Sequence, residues 1–285
     1  TVRQPRISSM KFSDERLEPG TRIALRVEYD GRAFNGWQAQ TKLDVPTVQE
    51  TLEAALSVIG NQPIRTWCAG RTDTAVHASG QIVHFDDPVG RSLKSWVLGI
   101  NSELPDAVSV HWAGSVSSDF HARFSAVSRR YQYIIANTQT RSAQLSGLVT
   151  WYRRPLSEEA MHQCAQLLVG EHDFSAFRAA SCQSTTPWRH LSEISVTRQN
   201  DFVIVELEAN AFLHHMVRNI VGSLMLVGAG LKSQTWFEQV FIGKDRTKSG
   251  DTASSAGLYL VSVGYPEDCG IPAGPKAATL LCHSV

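Results

Sequence analysis

Segments of strand periodicity and segments of helix periodicity follow one another twice along this chain of 285 residues, and that doubled order restricts it to mixed α and β architectures. Arg22 to Asp30 alternates Ile23, Leu25, Val27 and Tyr29 with other residues and ends in Asp30-Gly31, a strand running into a turn. Thr47 to Ile59 opens with a threonine and has Glu50 three residues on, a capping box. Val48, Leu52, Ala55, Leu56 and Ile59 then mark one helical face, which Gly60-Asn61 ends. Ile64–Gly70, Gln81–Phe85 and Val108–Trp112 are expected strands, and Ser92–Ile100 a short helix.

The second half repeats the order. Arg129–Ala136 has strand character, and Glu158–Val169 is an expected helix with Gly170 as its stop. His190–Arg198 and Phe202–Leu207 form an expected strand pair. Leu213–Leu231 is a long apolar helix interrupted at Gly222, Gln234–Phe241 a short one, and Leu258–Gly264 a closing strand. The reading is an α+β protein of two similar subdomains, 22–120 and 121–266, divided near Phe120. Residues 1–21, polar and without an apolar core segment, are expected to be a flexible leader, and 267–285, rich in Pro and Gly, a loose tail.

Five cysteines at wide spacing, with no C-x-x-C pair, argue against a disulfide framework or a zinc site and suit a reducing cytoplasm. No apolar run approaches the roughly 20 residues of a membrane span. The net charge is zero, yet its distribution is uneven. His121 to Arg154 carries Arg123, Arg129, Arg130, Arg141, Arg153 and Arg154 and no acid, an expected anion-binding face.

The segment Ala69 to Ala78, AGRTDTAVHA, puts Arg71, Thr72, Asp73 and Thr74 in a polar loop between strands, a common setting for catalytic groups. Asp73 could be a nucleophile or general base, or a turn aspartate bonding its own backbone. His77, four residues on, could join it as a metal ligand only with a third donor, and none has convincing spacing, so a structural histidine is expected there. His214 and His215 are adjacent, and adjacent residues do not share a helical face, which argues against a joint metal site. Tyr131 and Tyr133 share a strand face beside Arg129 and Arg130, suited to base stacking with phosphate contact, with Tyr133 expected in the core. Arg218, in the otherwise apolar FLHHMVRNIVGSLML, needs a carboxylate partner or an exit to solvent, and Asp73 is one candidate partner.

With VEYDGRAFNGWQAQ (27–40), Ala69–Phe85, FHARFSAVSRRYQY (120–133), DFSAF (173–177), FLHHMVRNIVGSLM (212–225) and AGLYLVSVGY (256–265) in this order, the chain resembles the bacterial tRNA pseudouridine synthase A family across about 22–266. The resemblance implies a mixed, mainly antiparallel sheet with outer helices, built from two related halves. It implies a homodimer that isomerises uridine at positions 38, 39 and 40 of the tRNA anticodon stem-loop, a reaction that needs neither metal nor cofactor. By the same resemblance Asp73 is the catalytic aspartate and Tyr131 the active-site tyrosine. Arg71 helps hold the target nucleotide, Arg218 pairs with the aspartate, and Leu258 lines the uracil pocket. Two other classes fit parts of the chain. A non-catalytic RNA-binding module keeps the arginines and leaves Asp73 without a task, and a metal-dependent hydrolase would have to gather scattered histidines.

Overall fold

The alternation at the start of the chain becomes β1 (Arg22–Tyr29), which lies inside the sheet with nearly every residue buried on both faces. It leads to α1 (Val48–Gly60), where Thr47 caps the first turn by accepting from the Glu50 amide and donating to the Glu50 carboxylate. β2 (Trp67–Cys68) is a two-residue strand, shorter than the expected 64–70. β3 (His77–Asp86) is longer than expected and buried along almost its whole length. α2 (Leu93–Glu103) starts on the Ser92 cap, and β4 (Val108–Ser115) closes the first half. A computed structural model describes residues 12–40 and 45–282.

The second half runs β5 (Ser128–Ala136), β6 (Thr150–Trp151), α3 (Glu158–Ala165), β7 (Gly170–Asp173), β8 (Trp188–Gln199), β9 (Phe202–Ala209), α4 (Met216–Gly228), α5 (Gln234–Gly243), β10 (Leu258–Gly264) and α6 (Thr279–Cys282). The helix expected over 158–169 ends early in a tight turn at Gln166–Leu168, and Gly170, at φ +111°, opens an edge strand instead. Gly222 does not interrupt α4. It lets the helix approach residue 251 so closely that an added β-carbon would lie 1.9 Å from the Asp251 carbonyl oxygen.

All strands join one sheet in the order β4-β1-β3-β10-β5-β9-β8-β7, with β2 on β3 and β6 on β5. Among the described residues, only the β10–β3 and β5–β6 strand pairs are parallel. The first half lays its strands β4-β1-β3 and the second β10-β5-β9; a strand–helix–strand–helix–strand path underlies both, with β2 added in the first half and β6, β7, β8 and α5 in the second. β10, the last strand, is inserted at the seam between β3 and β5. The main apolar core draws on both halves, from Ile23 and Trp37 to Ile220 and Leu260, and a smaller cluster gathers Ile134, Ala136, Val149, Tyr259, Val261 and Ala278.

The chain ends are tied down where they are described. Phe12 and Leu17 pack on the core, and Gly20 donates to the Asp87 carbonyl. Residues 1–11 of the expected leader lie outside the described residues. The expected tail is anchored rather than loose at 278–281. Ala278 is fully buried against Ile134 and Val261, and its amide donates to Gln132 on the sheet. Composition missed this because one buried alanine and two side-chain acceptors suffice to anchor a Pro-rich segment.

Candidate active site

The loop carrying Asp73 is fixed by its neighbours on the sheet. Gln81, buried on β3, accepts from the Gly70 amide at 3.3 Å and donates to its carbonyl at 2.6 Å. The Tyr29 hydroxyl lies 2.8 Å from Thr72 Oγ1, and the Trp37 amide donates to the Thr72 carbonyl at 3.0 Å. The chain can pass this close only because residue 36 is glycine. At φ +88°, a β-carbon there would lie 2.8 Å from the Thr72 carbonyl oxygen. Asp73 itself accepts at its backbone oxygen from Val76, which closes the turn.

Three cationic or imidazole groups from the second half converge on the Asp73 carboxylate. Arg218 Nη1, from the second residue past the start of α4, is 3.4 Å from Oδ2, while its Nε donates to the Ala253 carbonyl at 2.8 Å. Of the two outcomes open to a charge in an apolar helix, Arg218 thus takes the carboxylate partner. His215 Nε2 is 3.2 Å from Oδ2 and His214 Nε2 is 3.3 Å from Oδ1. The expectation that adjacent histidines diverge does not hold. His215 precedes the helix in a left-handed conformation (φ 60°, ψ 7°), so helical spacing does not apply to the pair. Burial, Arg218 and His214 lower the His215 pKa against the pull of Asp73, burial being the largest cause. Asp73, His214 and His215 are the one described trio spaced to hold a metal ion. A cation there would have to sit beside the Arg218 guanidinium, which already supplies positive charge to the carboxylate.

These groups line a cleft of about 1500 Å³. Asp73 is the sole carboxylate among its lining residues, against Arg65, Arg71, Arg123, Arg129, Arg189 and Arg218. Tyr131 sits in the wall, about nine-tenths buried, with Phe212 edge-on at 5.0 Å. Burial, reinforced by Asp73, holds its phenol pKa well above the ordinary value despite nearby Arg129. Leu258 is buried at the start of β10, and Arg71 is exposed in the lining. The five residues singled out by resemblance therefore share one cleft.

The arginine run divides. Arg123 and Arg129 line the cleft, whereas Arg141, Arg153 and Arg154 are not among its lining residues. Arg130 points to the opposite face of the sheet, to Glu193, Glu206 and Glu208. Strand alternation forces this, since Arg129 and Tyr131 share one face and Arg130 takes the other. Tyr133 is in the core, its hydroxyl donating to the Ser254 carbonyl. His77 is structural: its ring stacks on Tyr259 at 4.6 Å, and Nε2 is 3.0 Å from the Gly147 carbonyl oxygen.

Composition and spacing missed three contributors. Exposed Phe124, with the Arg123 guanidinium over its ring, and Trp67 stand at the cleft rim. The nearly buried Arg189 comes from the start of β8. Only the aromatic–arginine adjacency of Arg123-Phe124 offered a signal.

One carboxylate opposed by that many guanidinium groups is suited to chemistry on a polyanion, and the class the cleft points to is an enzyme acting on a polyanionic substrate. The chain belongs to the tRNA pseudouridine synthase family, whose model matches residues 25–125 and 164–266; pseudouridine synthases are isomerases. It is 55% identical over 260 residues to tRNA pseudouridine synthase A of Photobacterium profundum, covering 91% of this chain and 99% of that one. It is 51% identical over 270 residues to the protein of the same name from Shigella boydii, and 50% identical to that of Escherichia fergusonii, each covering 95% of this chain and 99% of the relative. The likeness to a chain in the crystal structure of a Cbf5-Nop10-Gar1 complex, at 10% identity and a TM-score of 0.33 over 78% of this chain and 52% of that one, is too slight to argue from.

Proposed function

We propose that this protein isomerises uridine to pseudouridine at positions 38, 39 and 40 of the tRNA anticodon stem-loop, with Asp73 as the catalytic carboxylate. The observation that carries this reading is the isolation of Asp73 among cations: one carboxylate in an arginine-lined cleft, 3.4 Å from Arg218. A carboxylate near phosphates weakens binding, so its place there calls for a chemical task.

The reaction breaks the C1′–N1 bond, turns the base and joins C1′ to C5. The C5 proton is lost and N1 regains one, with no net redox change. The target nucleotide must first leave the stack, which costs a few kcal/mol. Arg71, exposed at the cleft, holds the displaced nucleotide by its backbone. Tyr131 stacks on the uracil, a type of contact worth about 1–3 kcal/mol, and Leu258 closes the apolar side of the base pocket. Asp73 attacks C1′ or C6, or assists elimination to a glycal. Arg218 orients the carboxylate. The enzyme works without metal or cofactor, as a homodimer in the cytoplasm.

The test is conversion of uridine in unmodified tRNA, in EDTA, by wild type and Asp73→Ala, with tRNA binding measured alongside. Conversion by wild type together with binding but no conversion by the variant supports the reading. Binding without conversion by both proteins leaves an RNA-binding module.

A further inference from the structure

We propose that His214 and His215 are positioning residues for Asp73, each setting its Nε2 beside a different carboxylate oxygen so that the carboxylate is held in one orientation before the substrate arrives. The inference rests on the reading of Asp73 as the catalytic group. Arg218 alone reaches only Oδ2, at 3.4 Å, and one donor to one oxygen leaves a carboxylate free to turn about its Cβ–Cγ bond. His215 adds a second contact to Oδ2 and His214 supplies the one to Oδ1.

The backbone is shaped to bring both rings to that point. His215 holds a left-handed conformation (φ 60°) that is uncommon for residues with a β-carbon. Such strain persists where the surroundings fix it, and here it turns two consecutive imidazoles onto one carboxylate, with their ring centres 3.9 Å apart. His214 is gripped from behind by the segment after Arg178. Its carbonyl accepts from the Ala179 amide at 3.1 Å, and its own amide donates to Cys182 Sγ at 3.4 Å. Ser181 Oγ lies 3.1 Å from His214 Nδ1. A hydroxyl donating there leaves the ring hydrogen on Nε2, the nitrogen 3.3 Å from Oδ1, so the contact needs no charged imidazole.

The experiment is single-turnover conversion of saturating unmodified tRNA in EDTA by wild type, His214→Ala, His214→Gln and Ser181→Ala, with tRNA Kd and thermal unfolding measured for each. His214→Ala is expected to slow conversion by up to about 100-fold, the scale of a misplaced reacting group, with Kd unchanged. His214→Gln, whose amide nitrogen can take the Nε2 position, should recover most of the rate, and Ser181→Ala should lose part of it. Wild-type rates in His214→Ala, or a loss confined to Kd, overturn the proposal. So does a rate loss that follows a lower Tm and is not recovered by Gln. If His214→Ala does not fold, a wild-type rate in Ser181→Ala overturns it, and a reduced rate there with near-normal His214→Gln supports it. Full activity in Asp73→Ala would instead remove the reading of the site itself.

Discussion

Arg218 and Asp73, 145 positions apart in the chain, meet at 3.4 Å because α4 of the second half ends its approach above the loop of the first. The contact spans the seam that β10 fills. Arg218 also holds the Ala253 carbonyl through Nε, so one planar head binds two partners. Lysine has a single head and cannot reproduce that fork. Arg218→Ala should lower the conversion rate by about 100-fold, the order seen when a preorganised donor is removed from a site. Arg218→Lys should recover little of it. Steady-state kinetics with unmodified tRNA decide this, and a lysine variant with wild-type kcat would show that charge alone suffices.

The loop depends on Gly36 as much as on any polar group. Alanine there would hold φ near +88° at a cost of about 1–3 kcal/mol and press its methyl group on the Thr72 carbonyl. Gly36→Ala should therefore lower Tm and depress conversion together, although it removes no functional atom. Retained kcat in a destabilised Gly36→Ala would mean that the loop tolerates displacement.

Much of this arrangement was legible in the sequence, and the failures have physical causes. Asp73, Tyr131 and Arg218 stood out as a polar loop between strands, an aromatic beside arginines and a charge in an apolar helix. The α+β class followed from the doubled pattern, and the mixed sheet with outer helices is the fold observed. The convergence of His214 and His215 is hidden from helical spacing because His215 lies before the helix, at positive φ. The arginine run contributes less to the cleft than its charge suggests, because strand alternation turns Arg130 to the opposite face, onto Glu193, Glu206 and Glu208. The anchored C-terminal stretch was invisible because its ties are to Ser79 and Gln132, side chains distant in sequence.

His84 predicts an acid-sensitive fold. Its ring is 2% exposed, stacked on Trp67, with Nδ1 accepting from the Ala122 amide. Burial, with His121 and Arg22 nearby, pushes its pKa down to about 4 from 6.5. The unfolded chain binds this proton more readily than the folded one, so its contribution is complete above about pH 6.5 and is lost as pH falls toward 4. The loss is at most about 3 kcal/mol. Urea unfolding at pH 7.5 and 4.5 should show this difference, and His84→Gln should reduce it. Equal pH sensitivity in the variant would assign the effect to other groups.

Arg123 and Arg129 should behave differently although both line the cleft. Arg129 gives its guanidinium hydrogens to the carbonyls of Ala69, Arg123, Ala126 and Asn210, and burial lowers its pKa. It ties the loop of Asp73 to β5 and the rim, and little of it is left for phosphate. Arg129→Ala strands those acceptors and should cost stability, about 1–3 kcal/mol for each one left buried without a partner. Arg123 instead lies over exposed Phe124. Arg123→Ala should leave Tm in place, weaken tRNA binding and reduce the slope of log K against log salt by about 1. Salt titrations of tRNA binding with parallel thermal unfolding separate the two roles. A salt slope unchanged in Arg123→Ala and reduced in a fully stable Arg129→Ala would reverse the assignment.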